Sequence, residues 1–301
     1  MNKFAVVVLG IAVLFCAGCS SIGGAVSHRF LCADYGKSMI WIVSAEGEVE
    51  WEYAARKPQD VWQMKNGNIL FTHVKGAKEV TLDKKVVWEY TVGKDEEVHA
   101  CQPLGDGNYM VAVSGPCEIR EINSAGKVVK TVKLVTNQEN KHRQMRQARK
   151  LVNGNYIVGH GSDKVVREYD SDGKVIRTIA VENFAFGGWR LANGNTIITI
   201  GDGHRVFEID ANDKVVWEIN ENDVEGNPIR FAAGIQRLGN GNTVVCNWGG
   251  HGHVGEQPQI FEVTPDKKVV WEVFDFEKFG TISGVQLLDK KGDVRKGKIL
   301  R

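Results

Sequence analysis

Three things that commonly announce a function are scarce in this sequence. Net charge is nearly absent, with 38 Lys and Arg against 37 Asp and Glu for a formal +1, so nothing draws a polyanion and nucleic acid is not an expected partner. Cysteines are few and scattered. Apart from Cys16 and Cys19 there are only Cys32, Cys101, Cys117 and Cys246, without the clustered spacing of a disulfide framework or a zinc knuckle. Three of these four fall in strand-like runs, where a free cysteine behaves as a small buried hydrophobe. Beyond the N-terminus there is no second long apolar run and scarcely any helical period, which argues against a helical bundle and leaves a chain able to bury one large core.

The N-terminus has a separate character. Residues 1–18 read as a secretion signal, with Lys3, an almost wholly apolar run from Phe4 to Phe15, then Ala17 and Gly18. The apolar part is too short for a comfortable membrane span of about 20 residues. Cys19, preceded by Ala-Gly and followed by Ser20 and Ser21, resembles the lipobox cysteine of bacterial lipoproteins. That resemblance implies acylation at Cys19, a linker over 19–27 and a stable anchor in a membrane, since several acyl chains hold where one binds only marginally. Plain signal-peptidase cleavage is the alternative. Either route implies an exported protein of the cell envelope, in the periplasm or on the cell surface.

Over 28–301 the sequence repeats, and a missed repeat mis-assigns a whole fold. Asn66-Gly67-Asn68, Asp106-Gly107-Asn108, Asn153-Gly154-Asn155, Asn193-Gly194-Asn195 and Asn240-Gly241-Asn242 follow one another at intervals of 40, 47, 40 and 47 residues, with a degenerate sixth copy at Lys290-Lys291-Gly292-Asp293. Six further turns lead into Trp51, Trp88, Lys130, Arg177, Trp217 and Trp271. Asn-Gly between alternating apolar residues signals a hairpin, and a type I′ turn with positive φ at both central residues is expected. Short Val, Ile, Tyr, Trp and Thr runs lie between the turns. Each unit therefore reads as four antiparallel strands a, b, c and d, which is one propeller blade.

The expected fold is all-β, a six-bladed β-propeller of four-stranded antiparallel blades. Blades one to five run over 59–92, 98–133, 144–180, 185–220 and 231–274. The last is closed by both termini, with Thr281 to Arg301 offering strand a and room for b, and Ser38 to Tyr53 offering c and d; Arg29 to Tyr35 is a further strand candidate. Closing the ring in this way removes free sheet edges. The strand-d Trp residues, and Lys130 and Arg177 in their place, are expected to pack between blades.

The run Asp213-Lys214-Val215-Val216-Trp217-Glu218, together with Leu-x-Asn-Gly-Asn, resembles the repeats of pyrroloquinoline-quinone-like and arylsulfotransferase-like bacterial propellers over nearly the whole mature chain. The resemblance implies a propeller and little about chemistry, which has to come from a site's own residues. The quinone itself is not an expected cofactor, because the eight blades, calcium site and adjacent cysteines of its users are missing.

Strand alternation places the tight a–b and c–d turns on one face and the longer b–c and d–a loops on the other, where binding groups concentrate. Seven of the eight histidines follow the loop face: His73, His160, His204, His251 and His253 at the ends of strand b, His99 and His142 near the start of strand a. Only His28 lies outside. Counting five residues past each Asn-Gly-Asn gives His73, Val113, His160, Ile200 and Asn247. Counting seven before gives Gln59, His99, Arg146, Phe186 and Ala233, the positions expected to line a central pocket. The segment Asn247 to Glu256 adds Trp248, glycines that permit close approach, and His251-x-His253, a candidate pair for a divalent metal. Arg146 and Arg230 are candidate anion binders, since a guanidinium grips an oxyanion at two points.

The ligand-binding candidates are thus His73, His99, Arg146, His160, Arg230, Asn247, Trp248, His251 and His253. The first functional expectation is a lipid-anchored propeller that binds a glycan, small molecule or protein through its histidine-bearing face. The second is an enzyme on a glycan or on a sulfated or phenolic substrate, either a metal-assisted lyase or hydrolase or a sulfotransferase-like enzyme, with His99, His160 and His251 as the catalytic candidates.

Overall fold

A computed structural model of the chain describes residues 26–290, with position 227 excepted. The expected secretion signal over 1–18 and the expected acylation site Cys19 lie outside the described residues, as does most of the degenerate sixth turn. The described residues form six four-stranded antiparallel sheets arranged as a six-bladed β-propeller. Blade one is Val61–Gln63, Ile69–His73, Gly76–Val80 and Val86–Thr91, and blade two is Glu97–Pro103, Tyr109–Ser114, Glu118–Ile122 and Val128–Lys133. Blade three is Ala148–Lys150, Tyr156–His160, Val165–Tyr169 and Val175–Ala180, entered through the four-residue helix Lys141–Gln144. Blade four is Ala185–Arg190, Thr196–Ile200, Arg205–Ile209 and Val215–Asn220, and blade five Ala232–Arg237, Thr243–Asn247, Ile260–Val263 and Val269–Val273.

Blade six closes the ring from both ends. Its strand a is Ile282–Leu287, while b, c and d are Phe30–Asp34, Met39–Val43 and Val49–Ala54, in the hydrogen-bonded order a-b-c-d. Strand b therefore comes from the N-terminal side, at Phe30–Asp34, and not from beyond strand a. The residues Phe30, Leu31, Cys32 and Ala33 are all buried there, between Ile282–Leu287 and Met39–Val43.

The turns differ from the type I′ expectation. Only the glycine of each triplet has positive φ, as at Gly67 (86°) and Gly154 (89°). The Gly67 N–H reaches Met64 C=O at 3.0 Å and the Met64 N–H reaches Asn68 C=O at 2.7 Å, which is a type I turn closed by a left-handed glycine. The two asparagines have separate tasks. The first caps the turn through its own side chain, as Asn66 Oδ1 does on the Asn68 N–H at 3.0 Å. The last donates across the blade to a strand-c glutamate: Asn68 to Glu79 at 2.6 Å, Asn155 to Glu168 at 2.9 Å, Asn195 to Glu208 at 2.7 Å and Asn242 to Glu262 at 2.6 Å.

Those glutamates also join the blades. Glu79 accepts from the Tyr109 hydroxyl at 2.5 Å, Glu121 from Lys150 at 2.6 Å and from Tyr156, Glu168 from Arg190 at 2.6 Å and Glu208 from Arg237 at 2.8 Å. All are buried, where an unpaired carboxylate would cost several kcal/mol. At the closing seam the partner of Glu262 is His28, at 2.6 Å, with Asp289 on its other nitrogen at 2.9 Å. Burial opposes charge on His28, but the two carboxylates raise its pKa above the ordinary imidazole value. The strand-d tryptophans make a second, outer set of links. Trp51, Trp88 and Trp217 donate their indole N–H to carbonyls of the next blade's c–d turn, at Leu82, Asn123 and Pro265. Arg177 takes the equivalent place against Asp210 and Asp213.

Nearer the axis, Asp60 of blade one accepts from the Cys101 N–H of blade two at 3.1 Å and pairs with Arg149 of blade three at 2.8 Å. Three inner strands are thereby held by one buried carboxylate.

Candidate functional site

A cavity of about 590 Å³ opens on the loop face. It is lined only from b–c loops, d–a loops and the mouths of strands a, which is the side that strand alternation assigns to function. Its inner wall includes Gln59, Arg146, Phe186 and Ser283. The first three are among the positions counted seven residues before the turns, and applying the same count to the degenerate copy at Lys290 gives Ser283.

Strand a bulges at these positions. The antiparallel register slips between Val98 and Ala100, between Ala185 and Gly187 and between Ala232 and Ile235, so that His99 and Phe186 are the extra residues of their strands. A bulge turns a side chain out of the regular pleat.

One wall is aromatic. Phe231 lies 5.1 Å from Trp248, 5.5 Å from His251 and 6.0 Å from both Phe184 and Phe186, ring centre to ring centre, and Tyr35 meets Trp248 at 5.8 Å. Glycine makes room for these rings. A Cβ at Gly161 would lie 2.3 Å from Phe184, one at Gly201 2.5 Å from Phe231, and one at Gly250 2.1 Å from Trp248. Phe184 and Phe231 each stand nine residues before an Asn-Gly-Asn triplet; that shared register, the signal that could have found them, was missed in the sequence.

Beside the rings the lining is cationic. Arg146 is 8% exposed, with its guanidinium 5.2 Å from the centre of the Phe184 ring. Its Nη1 donates to Met145 C=O at 3.0 Å and to His142 C=O, and lies 3.2 Å from His99 Nδ1. It forms no ion pair with a carboxylate among the described residues. Burial lowers its pKa to about 10, which leaves it charged at neutral pH. His142, Arg143 and Lys164 lie on the same wall. The one acidic side chain lining the cavity among the described residues, Asp202, is engaged by His251 Nδ1 at 2.7 Å.

Beside Arg146, Glu97 Oε2 lies 2.9 Å from His142 Nδ1 and 3.2 Å from His99 Nε2. Burial, with the adjacent Arg146, pushes His99 down to about 4. Its two imidazole partners hold Glu97 down at about 2. Near pH 7 the group is therefore a carboxylate next to a neutral His99.

The remaining candidates are distributed unevenly. Arg146, Trp248 and His251 line the cavity. His99 is buried behind its wall at 2% exposure. His160 is fully buried, with Nε2 at 2.7 Å from the Tyr169 hydroxyl, and burial lowers its pKa to about 3. His73 lies at the blade-one rim, outside the lining, with its pKa lowered by burial. Asn247 is a structural clamp: its side chain accepts from the Arg230 and Phe231 N–H groups at 2.8 and 2.9 Å and donates to Pro258 C=O at 3.0 Å. Arg230 pairs with Glu221 at 2.9 Å, outside the lining.

His251 and His253 take different carboxylate partners, and among the described residues neither belongs to a group of three potential metal ligands. His253 turns to Glu256 at 2.8 Å while His251 turns to Asp202, with Gly252 between them at a left-handed φ of 97°. Among the described residues, the three-ligand group is instead Glu97, His99 and His142.

Comparison with known proteins supports the architecture. The profile of the Mal s 1 allergenic protein-like family matches residues 133–268. A crystal structure of a protein of unknown function from Bacteroides caccae is similar with 32% identity and a TM-score of 0.79, over 86% of this chain and 98% of that one. Virginiamycin B lyase from Staphylococcus aureus shares the fold at 15% identity and a TM-score of 0.53, covering 71% of this chain and 69% of that one. The WD40 propeller domain of Doa1 does so at 17% and 0.58, over 72% and 71%. No curated protein matches the sequence.

Proposed function

This chain belongs to the same family as the Bacteroides caccae protein, and on that footing we propose that it is an exported, lipid-anchored binding protein whose loop-face cavity takes a small anion with an aromatic or apolar body. The observation that carries the reading is Arg146. A buried guanidinium with no carboxylate partner among the described residues, beside a cavity of about 590 Å³, is costly in isolation and is offset when an oxyanion supplies its missing counter-charge. The ring wall of Phe184, Phe231 and Trp248 provides the apolar complement across the same space. The repeat-level likeness to arylsulfotransferase-like propellers suggests sulfated or phenolic compounds as ligands to try first. Acylation at Cys19 would hold the site at a membrane surface of the cell envelope.

Calorimetric titration of the purified protein with phenyl sulfate, benzoate and inorganic sulfate tests this. The aromatic anions should bind more tightly than the bare ion. Arg146→Met should weaken them about ten- to a hundredfold, the worth of a hydrogen bond to a charged group. Unchanged affinity in Arg146→Met overturns the reading. For the anchor, the full chain expressed in a bacterium should fractionate with membranes, and Cys19→Ser should release it.

An enzymatic reading rests on a different observation, the hydrogen-bonded run from His142 at the cavity wall through Glu97 to buried His99, which is a path along which a proton can move. Turnover of an aryl sulfate or a glycan by the wild-type protein, lost in Glu97→Gln, would establish it.

A further inference from the structure

We propose that Glu97, His99 and His142 form a binding site for one borderline divalent metal ion, zinc foremost, at the wall of the loop-face cavity. The donor set is two imidazole nitrogens and one carboxylate oxygen, which suits Zn²⁺ and its first-row neighbours and not Mg²⁺ or Ca²⁺. The ligand atoms lie within 4.8 Å of one another, with Glu97 Oε2 2.9 Å from His142 Nδ1 and 3.2 Å from His99 Nε2. Donors about 2.0–2.2 Å from a tetrahedral ion are roughly 3.3–3.6 Å apart, so the two Glu97 contacts open by a few tenths of an ångström and the two imidazole nitrogens, within 4.8 Å of each other, close towards that spacing to take the metal.

The second observation is a conflict over protons that a metal removes. With no ion, one carboxylate oxygen faces both imidazoles, and His99 must carry its proton on Nε2 to donate to Glu97. Its Nδ1 is then bare, yet it lies 3.0 Å from Met145 C=O, lone pair against lone pair, with only the Arg146 Nη1 at 3.2 Å as a donor. With an ion on Nε2 the proton belongs on Nδ1, where Met145 C=O accepts it. A backbone carbonyl behind a ligating imidazole is the support that metal-bound histidines ordinarily have.

The ligands are also held in place. Glu97 and His99 are two residues apart on strand a of blade two, with the bulge between Val98 and Ala100 setting the direction of His99. His142 is fixed through its backbone: its N–H donates to Asn140 Oδ1 at 3.0 Å and its C=O accepts from Arg146. His99 is buried whereas His142 is half exposed and lines the cavity, so the open positions of the ion are reached from the cavity. Arg146, so close by, weakens the attraction for a cation and strengthens it for an anion that bridges metal and guanidinium. The metal site does not depend on the anion reading, since it can be filled with no anion present.

The test uses the purified protein stripped with a chelator and titrated with Zn²⁺ by calorimetry and with Co²⁺ by visible absorption. One equivalent should bind, with Co²⁺ bands of a low-coordinate nitrogen and oxygen site. His142→Ala, at an exposed position that leaves the core intact, should weaken Zn²⁺ at least about tenfold. Glu97→Gln should do the same, with thermal melting confirming that it folds, and His253→Ala should change nothing. Absence of saturable one-equivalent binding overturns the proposal. So does a site lost in His253→Ala and kept in His142→Ala. Titrating phenyl sulfate in the presence of chelator reads the anion proposal separately, so failure of one is not failure of the other.

Discussion

On the turn face each of five blades places a strand-c glutamate against its neighbour, and four of those glutamates also take the last asparagine of the local turn; on the loop face the residues that line the cavity follow no such repeat. Blade one offers Gln59, the entry to blade three His142 and Arg146, blade four Phe186, blade five Phe231 and Trp248, and blade six Tyr35 and Ser283, with Glu97 and His99 of blade two behind the wall. The turn face repeats because five of the six seams between blades pose the same problem, a buried carboxylate to be satisfied. The loop face is free of that demand. Its strand mouths are bulged and its loops differ in length, so individual residues there can serve a ligand without weakening a seam.

That contrast is open to attack by substitution. The largest effect is expected on the turn face. Glu208→Ala removes the acceptor of Arg237 at 2.8 Å and of Asn195 at 2.7 Å, leaving a partly buried cation alone, and should cost about 3–5 kcal/mol in urea unfolding. A loss below about 1 kcal/mol would show that the seams are not held by these carboxylates. Next comes a loop-face histidine that is wholly inside, His160. Its pKa of about 3 when folded lies below the ordinary imidazole value of about 6.5 in the unfolded chain, so the unfolded state takes up protons first. The stability it contributes is complete above pH 6.5 and is lost as pH falls towards 3, about 2 kcal/mol of it by pH 5. Unfolding curves between pH 7 and 5 should show that slope, and His160→Gln should flatten it. His28 has the opposite sign: its raised pKa adds stability that is fully present below about pH 6.5 and fades as pH rises through its folded value, and His28→Gln should abolish that trend.

A smaller effect is expected from Asn153→Ala, which loses one turn bond to the Asn155 N–H at 3.1 Å, a cost of about 1 kcal/mol readable as a modest drop in Tm. The smallest belongs to the cavity. Arg146→Met should leave stability unchanged or raise it by up to about 1 kcal/mol, since it removes a desolvated cation without a carboxylate partner among the described residues. A large loss of stability there would mean that Arg146 is a structural bolt and would erase the distinction between the faces.

The parts of the fold that a reader of the sequence can see are those written locally. The Asn-Gly-Asn triplets and the Trp-Glu strands lie within single blades, and each strand's burial alternation is set by its own residues. Blade number, blade boundaries and the side bearing the long loops were legible for that reason. The composite blade was legible only in outline: Phe30–Asp34 has the composition of a buried strand, but its pairing with Ile282–Leu287 spans nearly the whole chain. Even the turn type was misjudged, because Asn-Gly suits type I′ in isolation while the type I form with left-handed glycine lets the first asparagine cap its own turn.

In the cavity, the count from the turns located Gln59, Arg146 and Phe186, and composition located Trp248 and His251. It also put His160 beside His99 as an equal candidate, although one ends up sealed against Tyr169 and the other behind the cavity wall. Glu97 and Tyr35 carried no individual signal, and the register that Phe231 shares with Phe184 went unread. By itself, then, the sequence determined a six-bladed propeller with its long loops on one side, because repeat period, turn chemistry and strand alternation act over a few residues. Which histidine meets which carboxylate was decided only by the closed ring. Its curvature, and the one-residue bulges at the mouths of strand a, bring side chains from different blades within hydrogen-bond reach, and those are properties that no single repeat contains.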